Sequence, residues 1–251
     1  MELKRRTFQG ISNIILFNRH FYILAAVILI SLSILTQFFS HSWQLASLVV
    51  IILIGSTLFL SILISFYVYD LSDLYQLKWL PEKINGDILN ITAGFDESSD
   101  IIKSGKQYNK LITCDFFDPR KHTEKSILRA RKAYPLQQNS IRVSTNKLPF
   151  PDNSFECCHA FLSAHEIRDN KERNIFFKEL NRITKSNGQI FITEHLRDFP
   201  NFIAYTLGFF HFHSKSTWLR NFKESHLKVI REIKTTPFIT TFILEKDGDT
   251  F

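Results

Sequence analysis

The hydrophobic residues of this chain are concentrated in two long stretches near its start. Neither residues 21–39 nor residues 45–69 contain a charged side chain. As helices they would reach about 28 and 37 Å, against about 30 Å for the hydrocarbon core of a bilayer. A soluble helix of that length would need polar residues along one face. We therefore predict two transmembrane helices, rather than two buried core helices or a cleaved signal peptide.

The short connection between these stretches determines their predicted topology. Only residues 40–44 separate them, so both outer ends lie on the same side of the membrane. Four basic residues precede the first stretch, whereas the connection carries a single histidine. By the positive-inside rule, we expect both termini and everything after residue 69 in the cytoplasm. Residues 1–20 are expected either to lie along the membrane interface or to form an ordinary cytosolic lead-in.

After a predicted linker at residues 70–83, short apolar runs alternate with amphipathic ones. This alternation is typical of a parallel sheet covered by helices, so we predict an α/β domain over residues 84–251. The last two runs are so close together that they are expected to pair antiparallel. The predicted strands are 87–92, 110–115, 140–144, 155–162, 189–194, 227–235 and 238–246. The predicted helices include 119–133, 170–184, which a turn at 186–188 closes, and 217–225.

Composition narrows the function classes only a little. Residues 1–69 carry four of the 31 basic and one of the 24 acidic residues, so 27 minus 23, or +4, remains beyond them. A weak attraction to an anionic membrane surface accounts for this surplus, and no basic and aromatic pattern indicates nucleic acid. Cys114, Cys157 and Cys158 fit a reducing compartment, and no C-x-x-C motif is present. We expect free thiols and no zinc site.

Two segments carry a family resemblance. They read LPFPDNSFECCHAFLSAHEI, at residues 148–167, and FFKELNRITKSNGQIFITEHL, at residues 176–196. Together they resemble the core of class I S-adenosylmethionine-dependent methyltransferases, type 11 in particular. The resemblance extends over residues 84–246 and implies a Rossmann-like domain with a mostly parallel seven-stranded sheet and an antiparallel last strand. It also implies S-adenosylmethionine as the cofactor.

The resemblance places the methionine end of the cofactor in the loop after the first strand. There the family pattern is D-x-G-x-G-x-G, and only its middle glycine is present in this chain. An acidic side chain at Asp96 or Glu97 is suited to meet the ammonium of the cofactor, although Asp96 would serve equally well as a helix cap. The positions that match the pattern are Asn90, Thr92, Gly94 and Asp96.

Two further positions follow from the same resemblance. Asp115, at the end of the second strand, stands where the family has a carboxylate that accepts hydrogen bonds from both ribose hydroxyls. An ordinary helix cap is the alternative for this residue. After the third strand the family often reads the adenine amino group with an acidic residue, where this chain has Ser144 followed by Thr145.

Carboxylate and imidazole side chains follow three of the predicted strands, at the edge where α/β folds place their ligands. Three interpretations stay open: general-base catalysis, a divalent metal, or a solvated polar rim. Because no ligand spacing is diagnostic, we assign no metal and predict catalytic roles for His165, Glu194 and His195. His159, inside a strand, is expected to be a core residue. The side chains concerned are His122, Glu124, His165, Glu166, Glu194 and His195.

Residues 199–218 form the most aromatic stretch outside the two apolar segments. They are expected to line an apolar acceptor pocket, to dip into the bilayer surface, or to form an ordinary buried helix. The favoured hypothesis is a membrane-anchored methyltransferase with a hydrophobic or lipid-like acceptor. The alternatives are a catalytically silent binding or scaffold domain at the membrane and an enzyme with another ligand in the same cleft. The sequence does not indicate an oligomeric state.

Overall fold

The computed structural model describes residues 5–248. Within them, two helices, α1 (Gln9–Thr36) and α2 (His41–Phe66), are long and apolar enough to cross a membrane. Only 6% of the most apolar window of each helix is buried, so these side chains face outward rather than into a protein core. The first helix begins at Gln9, not at residue 21, so most of the predicted lead-in is helical.

The start of α1 is fixed against the end of α2. A π-helical turn (Tyr67–Leu71) follows α2, and in it Asp70 accepts hydrogen bonds from the backbone amides of Gly10 and Ile11, both at 2.8 Å. A Cβ at Gly10 would lie 2.4 Å from the Cβ of Tyr69, so only glycine allows this approach.

The same end of the hairpin also docks on the α/β domain. Arg5 pairs with Glu97 at 3.3 Å, and the Phe17 ring packs edge-on against Phe95 with centroids 5.4 Å apart. The hydroxyl of Tyr134 donates to Asn13 Oδ1 at 2.8 Å. The two helices and the domain are therefore joined by side-chain contacts as well as by the chain.

A seven-stranded sheet forms the centre of this domain, in the order β3-β2-β1-β4-β5-β7-β6. The first five strands are parallel, and β7 runs antiparallel to both of its neighbours. This confirms the predicted fold class. The strands are β1 (Ile88–Thr92), β2 (Leu111–Asp115), β3 (Ser140–Arg142), β4 (Phe155–Phe161), β5 (Thr184–His195), β6 (Leu227–Thr236) and β7 (Ile239–Lys246).

Helices cover both faces of the sheet and bury two hydrophobic clusters. One face packs against Phe176, Phe177 and Trp218, whereas the other packs against Leu74 and Leu80, which lie in the segment predicted as a linker. The three cysteines are free, as expected, and they are also buried. The helices of the domain are α3 (Ser99–Gly105), α4 (Lys125–Ala133), α5 (Asn170–Ile183), α6 (Phe199–Tyr205) and α7 (Lys215–Glu224), with 3-10 turns at Asp73–Gln76, Ala164–Glu166 and Thr206–His211.

One predicted helix start and one predicted turn were wrong. The helix predicted at 119–133 begins only at Lys125, because the residues before it form a turn in which the amide of His122 donates to Asp118 O. The turn predicted at 186–188 lies inside β5, which begins directly after α5. This part of β5 contains a register shift against β4. A Cβ at Gly188 would lie 2.9 Å from two β4 carbonyl oxygens, so close backbone approach requires the glycine.

Replacing Gly188 by alanine is expected to lower the free energy of unfolding by about 1–3 kcal/mol, because the β5 bulge must move away from β4. Gly105 is the matched control, since no heavy atom of the described residues lies within 4 Å of its added Cβ. Thermal melting of the full chain in detergent compares the two variants. Equal melting temperatures for Gly188→Ala and Gly105→Ala would contradict the assignment.

Candidate active site

A cleft of about 200 Å³ opens at the carboxyl ends of β1 and β2. Parallel strands bring the loops that follow them to this edge, where α/β folds bind their ligands. Four residues predicted for the cofactor, Thr92, Gly94, Asp96 and Asp115, line the cleft. Its other lining residues, which sequence reasoning missed, are Arg131, Ala133, Tyr134, Pro135, Leu136, Gln137 and Ser140.

Gly94 shapes the loop after β1. Its φ of +90° is a conformation that side-chain-bearing residues rarely adopt, and an added Cβ would lie 2.9 Å from the Phe117 ring. The Gly94 amide donates to Asp115 Oδ1 at 3.1 Å, and the Phe117 amide donates to the same oxygen at 2.8 Å. The single glycine that the sequence retains is therefore the one that this turn needs.

Asp115 joins the two strand ends and also carries an ion pair. Its Oδ1 accepts from the two loop amides, while its Oδ2 pairs with Arg131, whose guanidinium lies 5.0 Å from the centre of the Phe117 ring. Ligand pockets usually have volumes of about 300–1,000 Å³, so this cleft is small. Binding a cofactor ribose to Asp115 requires Arg131 to move off its outer oxygen.

Asp96 fits the charge of the methionine end of S-adenosylmethionine. Its Oδ1 caps α3 by accepting from the amides of Ser98 (3.1 Å) and Ser99 (2.9 Å). Its Oδ2 is buried and has no hydrogen-bond partner among residues 5–248. An unpaired carboxylate oxygen at this depth is costly, and an ammonium group would satisfy it. Glu97, the other acidic candidate, is paired with Arg5 and with the Tyr75 hydroxyl instead.

Three residues predicted for the cofactor lie outside the cleft lining. Asn90 is fully buried behind the loop, where its amide donates to Ser99 Oγ at 2.8 Å and its Oδ1 is hydrogen-bonded to His159 Nδ1 at 2.9 Å. Ser144 is exposed, and Thr145 donates to Glu172 on α5. The cleft is lined instead by Gln137, in a segment whose sequence carried no recognisable pattern.

At the ends of β4 and β5, the structure brings His165 and Glu194 together. Glu194 is fully buried, and its Oε1 accepts from the amides of Ser163 and His165, both at 3.2 Å. Its Oε2 lies 2.6 Å from His165 Nδ1. Although burial alone would lower the pKa of His165, the carboxylates of Glu194 and Glu166 raise it to about 10.

His195 occupies a different environment. Burial lowers its pKa to about 3, which makes it neutral at pH 7. Its Nε2 is hydrogen-bonded to the Tyr69 hydroxyl at 2.7 Å, and its Nδ1 to Asn201 Oδ1 at 2.9 Å. Both ring nitrogens therefore have partners, and one of them connects the end of β5 to the turn that follows α2.

His211 joins the His165 cluster from the turn that follows α6. Its Nε2 lies 3.7 Å from Glu166 Oε1, and its Nδ1 lies 2.9 Å from Glu124 Oε2. Arg168 also contacts both His211 and Glu124. Sequence reasoning missed His211, because these partners are 43 or more positions away in the chain.

The aromatic stretch after β5 is not an ordinary buried helix. Several of its apolar side chains face outward, with Phe199 72% and Leu207 80% exposed. The α6 helix packs beside α2. An exposed apolar surface next to an apolar helix is typical of a membrane-contacting or ligand-binding region. Phe202, Ile203 and Phe210 belong to the same surface.

A mostly parallel seven-stranded sheet with a reversed β7, together with a cleft beyond β1 and β2, is typical of class I methyltransferases. A family model described as a methyltransferase domain, of type 11, matches residues 89–192. The chain therefore carries a class I S-adenosylmethionine-dependent methyltransferase domain, as the resemblance implied, and S-adenosylmethionine is its cofactor.

Solved structures share this fold at low sequence identity. A chain from the Haloferax volcanii complex of the Trm112 activator and a methyltransferase is 12% identical, with a TM-score of 0.50, and the match covers 70% of this chain and 88% of that one. A SAM-dependent methyltransferase from Aquifex aeolicus is 16% identical, with a TM-score of 0.49 and coverages of 72% and 92%. No curated protein sequence matches the chain.

Proposed function

We propose that this protein is a membrane-anchored methyltransferase that transfers the methyl group of S-adenosylmethionine to a hydrophobic or lipid-like acceptor. The observation that carries this proposal is the position of the exposed apolar surface on α6 and its following turn. That surface lies beside α2, and the same turn ends at His211, in the cluster beyond β4. An acceptor in the bilayer would thus have an apolar path to the reaction site.

The helix hairpin supports the anchoring. Both helices have outward-facing apolar side chains, and the basic residues lie before α1 or, in the case of Arg19, in its first half, rather than in the connection at residues 37–40. This distribution favours a cytoplasmic location for both termini and for the α/β domain. A domain held at the cytoplasmic face would meet membrane-dissolved acceptors by diffusion in two dimensions.

The cofactor supplies a methyl carbon on a positively charged sulfur. When bound, it would pass this carbon to the acceptor atom and leave as S-adenosylhomocysteine, with the electron pair of the broken carbon–sulfur bond on sulfur. An oxygen acceptor must also lose a proton. Asp96 would hold the ammonium and Asp115 the ribose hydroxyls, with Asn90 and Thr92 supporting the loop, whereas Ser144 and Thr145 are the candidates on the adenine side.

On the acceptor side, the residues proposed to act are His165, Glu194 and His195. Glu194 holds His165 with its Nε2 directed towards Glu166, at the end of the strand next to β1. In its neutral form, His165 would accept the proton of an oxygen acceptor at this nitrogen, and its pKa of about 10 makes that form the minority at pH 7. His195 is proposed to position the acceptor-side turn through Asn201, which lies on α6.

Full-length protein in lipid nanodiscs, given S-adenosylmethionine with a labelled methyl group, tests the proposal. Label is expected in the organic extract of added cell membranes. A Phe199→Ser/Leu207→Ser double variant should lose most of this transfer yet bind the cofactor normally in calorimetry. Leu219→Ser, at a 39% exposed leucine on α7, is the matched control. Cofactor binding without any transfer would favour the silent alternative, and label only in water-soluble products would exclude a lipid-like acceptor.

A further inference from the structure

We propose that His165, Glu166 and His211 form a binding site for a divalent transition metal such as Zn²⁺, with one coordination position left open. Two histidines and one carboxylate are a common ligand set of catalytic zinc sites. The metal binding itself is independent of the proposed function. Only its role towards an acceptor rests on that function.

The distances between the ligand atoms suit a single ion. One ligand atom from each of the three side chains lies within 4.8 Å of the other two. Glu166 Oε1 lies 3.4 Å from His165 Nε2 and 3.7 Å from His211 Nε2. A tetrahedral ion with bonds of about 2.0–2.1 Å holds its ligand atoms about 3.4 Å apart. Small side-chain rotations would therefore complete the site.

The second nitrogen of each histidine gives the more specific evidence. His165 Nδ1 is 2.6 Å from Glu194 Oε2, and His211 Nδ1 is 2.9 Å from Glu124 Oε2. Metal-bound histidines usually donate the N–H of their free nitrogen to a carboxylate or carbonyl, which orients the ring. A catalytic base with its orienting carboxylate would account for His165 alone. Two such pairs directed towards one shared carboxylate are better explained by a common ligand between them.

The surroundings of the cluster favour a cation. Three carboxylates, those of Glu124, Glu166 and Glu194, face the two histidines, and the nearest opposing charge is Arg168. Arg168 Nη2 contacts both ring nitrogens of His211, Nε2 at 3.0 Å, so its guanidinium must leave the ring when a metal binds. The side chain is 37% exposed and also pairs with Glu124, so it can keep this partner while it moves.

The open position gives the site a role in the proposed reaction. It would lie next to the turn after α6, from which an apolar acceptor would arrive. A hydroxyl bound there would lose its proton to solvent more easily, because the ion stabilises the resulting oxygen anion. The inference therefore narrows the acceptor class to hydrophobic compounds with a hydroxyl group.

Calorimetric titration of the chelator-treated full chain in detergent, purified without a histidine tag, tests the site. One Zn²⁺ per chain is expected to bind, and Co²⁺ should give the visible absorption of a tetrahedral complex. His165→Ala and His211→Ala should abolish both signals, and Glu194→Gln should weaken binding about 10- to 100-fold. His226→Asn is the matched control, because His226 is exposed and has a φ of 54°, which asparagine tolerates.

The outcomes separate this inference from the proposed function. Absence of stoichiometric binding, or binding by His165→Ala and His211→Ala at the unaltered affinity, would overturn the metal site. Melting temperatures of the variants show whether they are folded. Undiminished methyl transfer by metal-free protein would remove the catalytic role of the ion and leave the methyltransferase proposal intact. Metal binding without any cofactor binding would overturn the methyltransferase proposal and leave the metal site intact.

Discussion

Replacing Asp115 by asparagine is expected to weaken S-adenosylmethionine binding about 100-fold, measured by calorimetry on the full chain in detergent. Hydrogen bonds to a charged group contribute about 1.5–3 kcal/mol each, and every 1.4 kcal/mol is a factor of ten. Asparagine keeps one acceptor oxygen for the Gly94 and Phe117 amides, so the loop is expected to keep its shape. The loss then reports on the ribose contact rather than on folding.

Arg131→Met provides the complementary measurement. Removing the guanidinium frees Asp115 Oδ2 from its ion pair, so this variant is expected to bind the cofactor more tightly than the unaltered chain. Asp118→Asn is the matched control, because Asp118 pairs with Arg120 and is absent from the cleft lining. If Asp115→Asn bound as well as Asp118→Asn, Asp115 would not be the ribose ligand.

Acidification from pH 7 to pH 5 is expected to destabilise the fold through two buried histidines. Burial lowers the pKa of both His159 and His195 to about 3. As pH falls below the unfolded value of about 6.5, only the unfolded chain takes up these protons, so stability falls with pH in the window from about 6.5 to about 3. By pH 5 each of these histidines lowers the free energy of unfolding by about 2 kcal/mol.

His165 acts in the opposite direction in the metal-free protein. Its pKa is raised to about 10, so its contribution to stability is complete below about 6.5 and is lost as pH rises through about 10. His165 stays protonated in the folded state between pH 7 and pH 5, whereas in the unfolded chain it gains most of its proton over this range. Its stabilising contribution therefore grows by roughly 1 kcal/mol or less, which offsets only part of the loss from His159 and His195. The net effect is therefore a marked loss of stability.

His159→Gln isolates one contribution. Glutamine does not titrate, so the difference in unfolding free energy between pH 7 and pH 5 should shrink by about 2 kcal/mol. Denaturant titrations in a mild non-ionic detergent give this difference for both proteins. His226→Asn serves again as the control, since this exposed histidine should leave the pH dependence unchanged. An unaltered pH dependence in His159→Gln would show that His159 is not the source.

The alternation of apolar and polar residues predicted most strands of the sheet to within one or two residues. The prediction failed at residues 186–188, where residue types that are common in turns lie inside a strand. Ser186, Asn187 and Gly188 are typical of turns, yet Gly188 is needed because two carbonyl oxygens approach it inside a strand. Local composition does not distinguish these two demands on a glycine.

Residues of the candidate site could be predicted only where a glycine, a carboxylate or a histidine follows directly on a predicted strand. Gly94, Asp96 and Asp115 follow from the family pattern, and the pairing of His165 with Glu194 follows from adjacent parallel strands. Arg131 and His211 come from segments without a pattern, and they reach the site only through tertiary packing. Long-range contacts of that kind leave no periodic signal in a sequence.

The contacts between the start of α1 and the α/β domain attach the two helices rigidly to the domain, rather than through a flexible tether. A flexible tether would let the domain tumble above the membrane and would make the effective acceptor concentration depend on linker length. Contacts such as Arg5 with Glu97 and Phe17 with Phe95 instead hold the edge of the cofactor loop against the hairpin. For the proposed membrane-anchored enzyme, the fold would then set the height of the reaction centre above the bilayer, and the distance from an acceptor's membrane anchor to its reactive atom would become a criterion of selection.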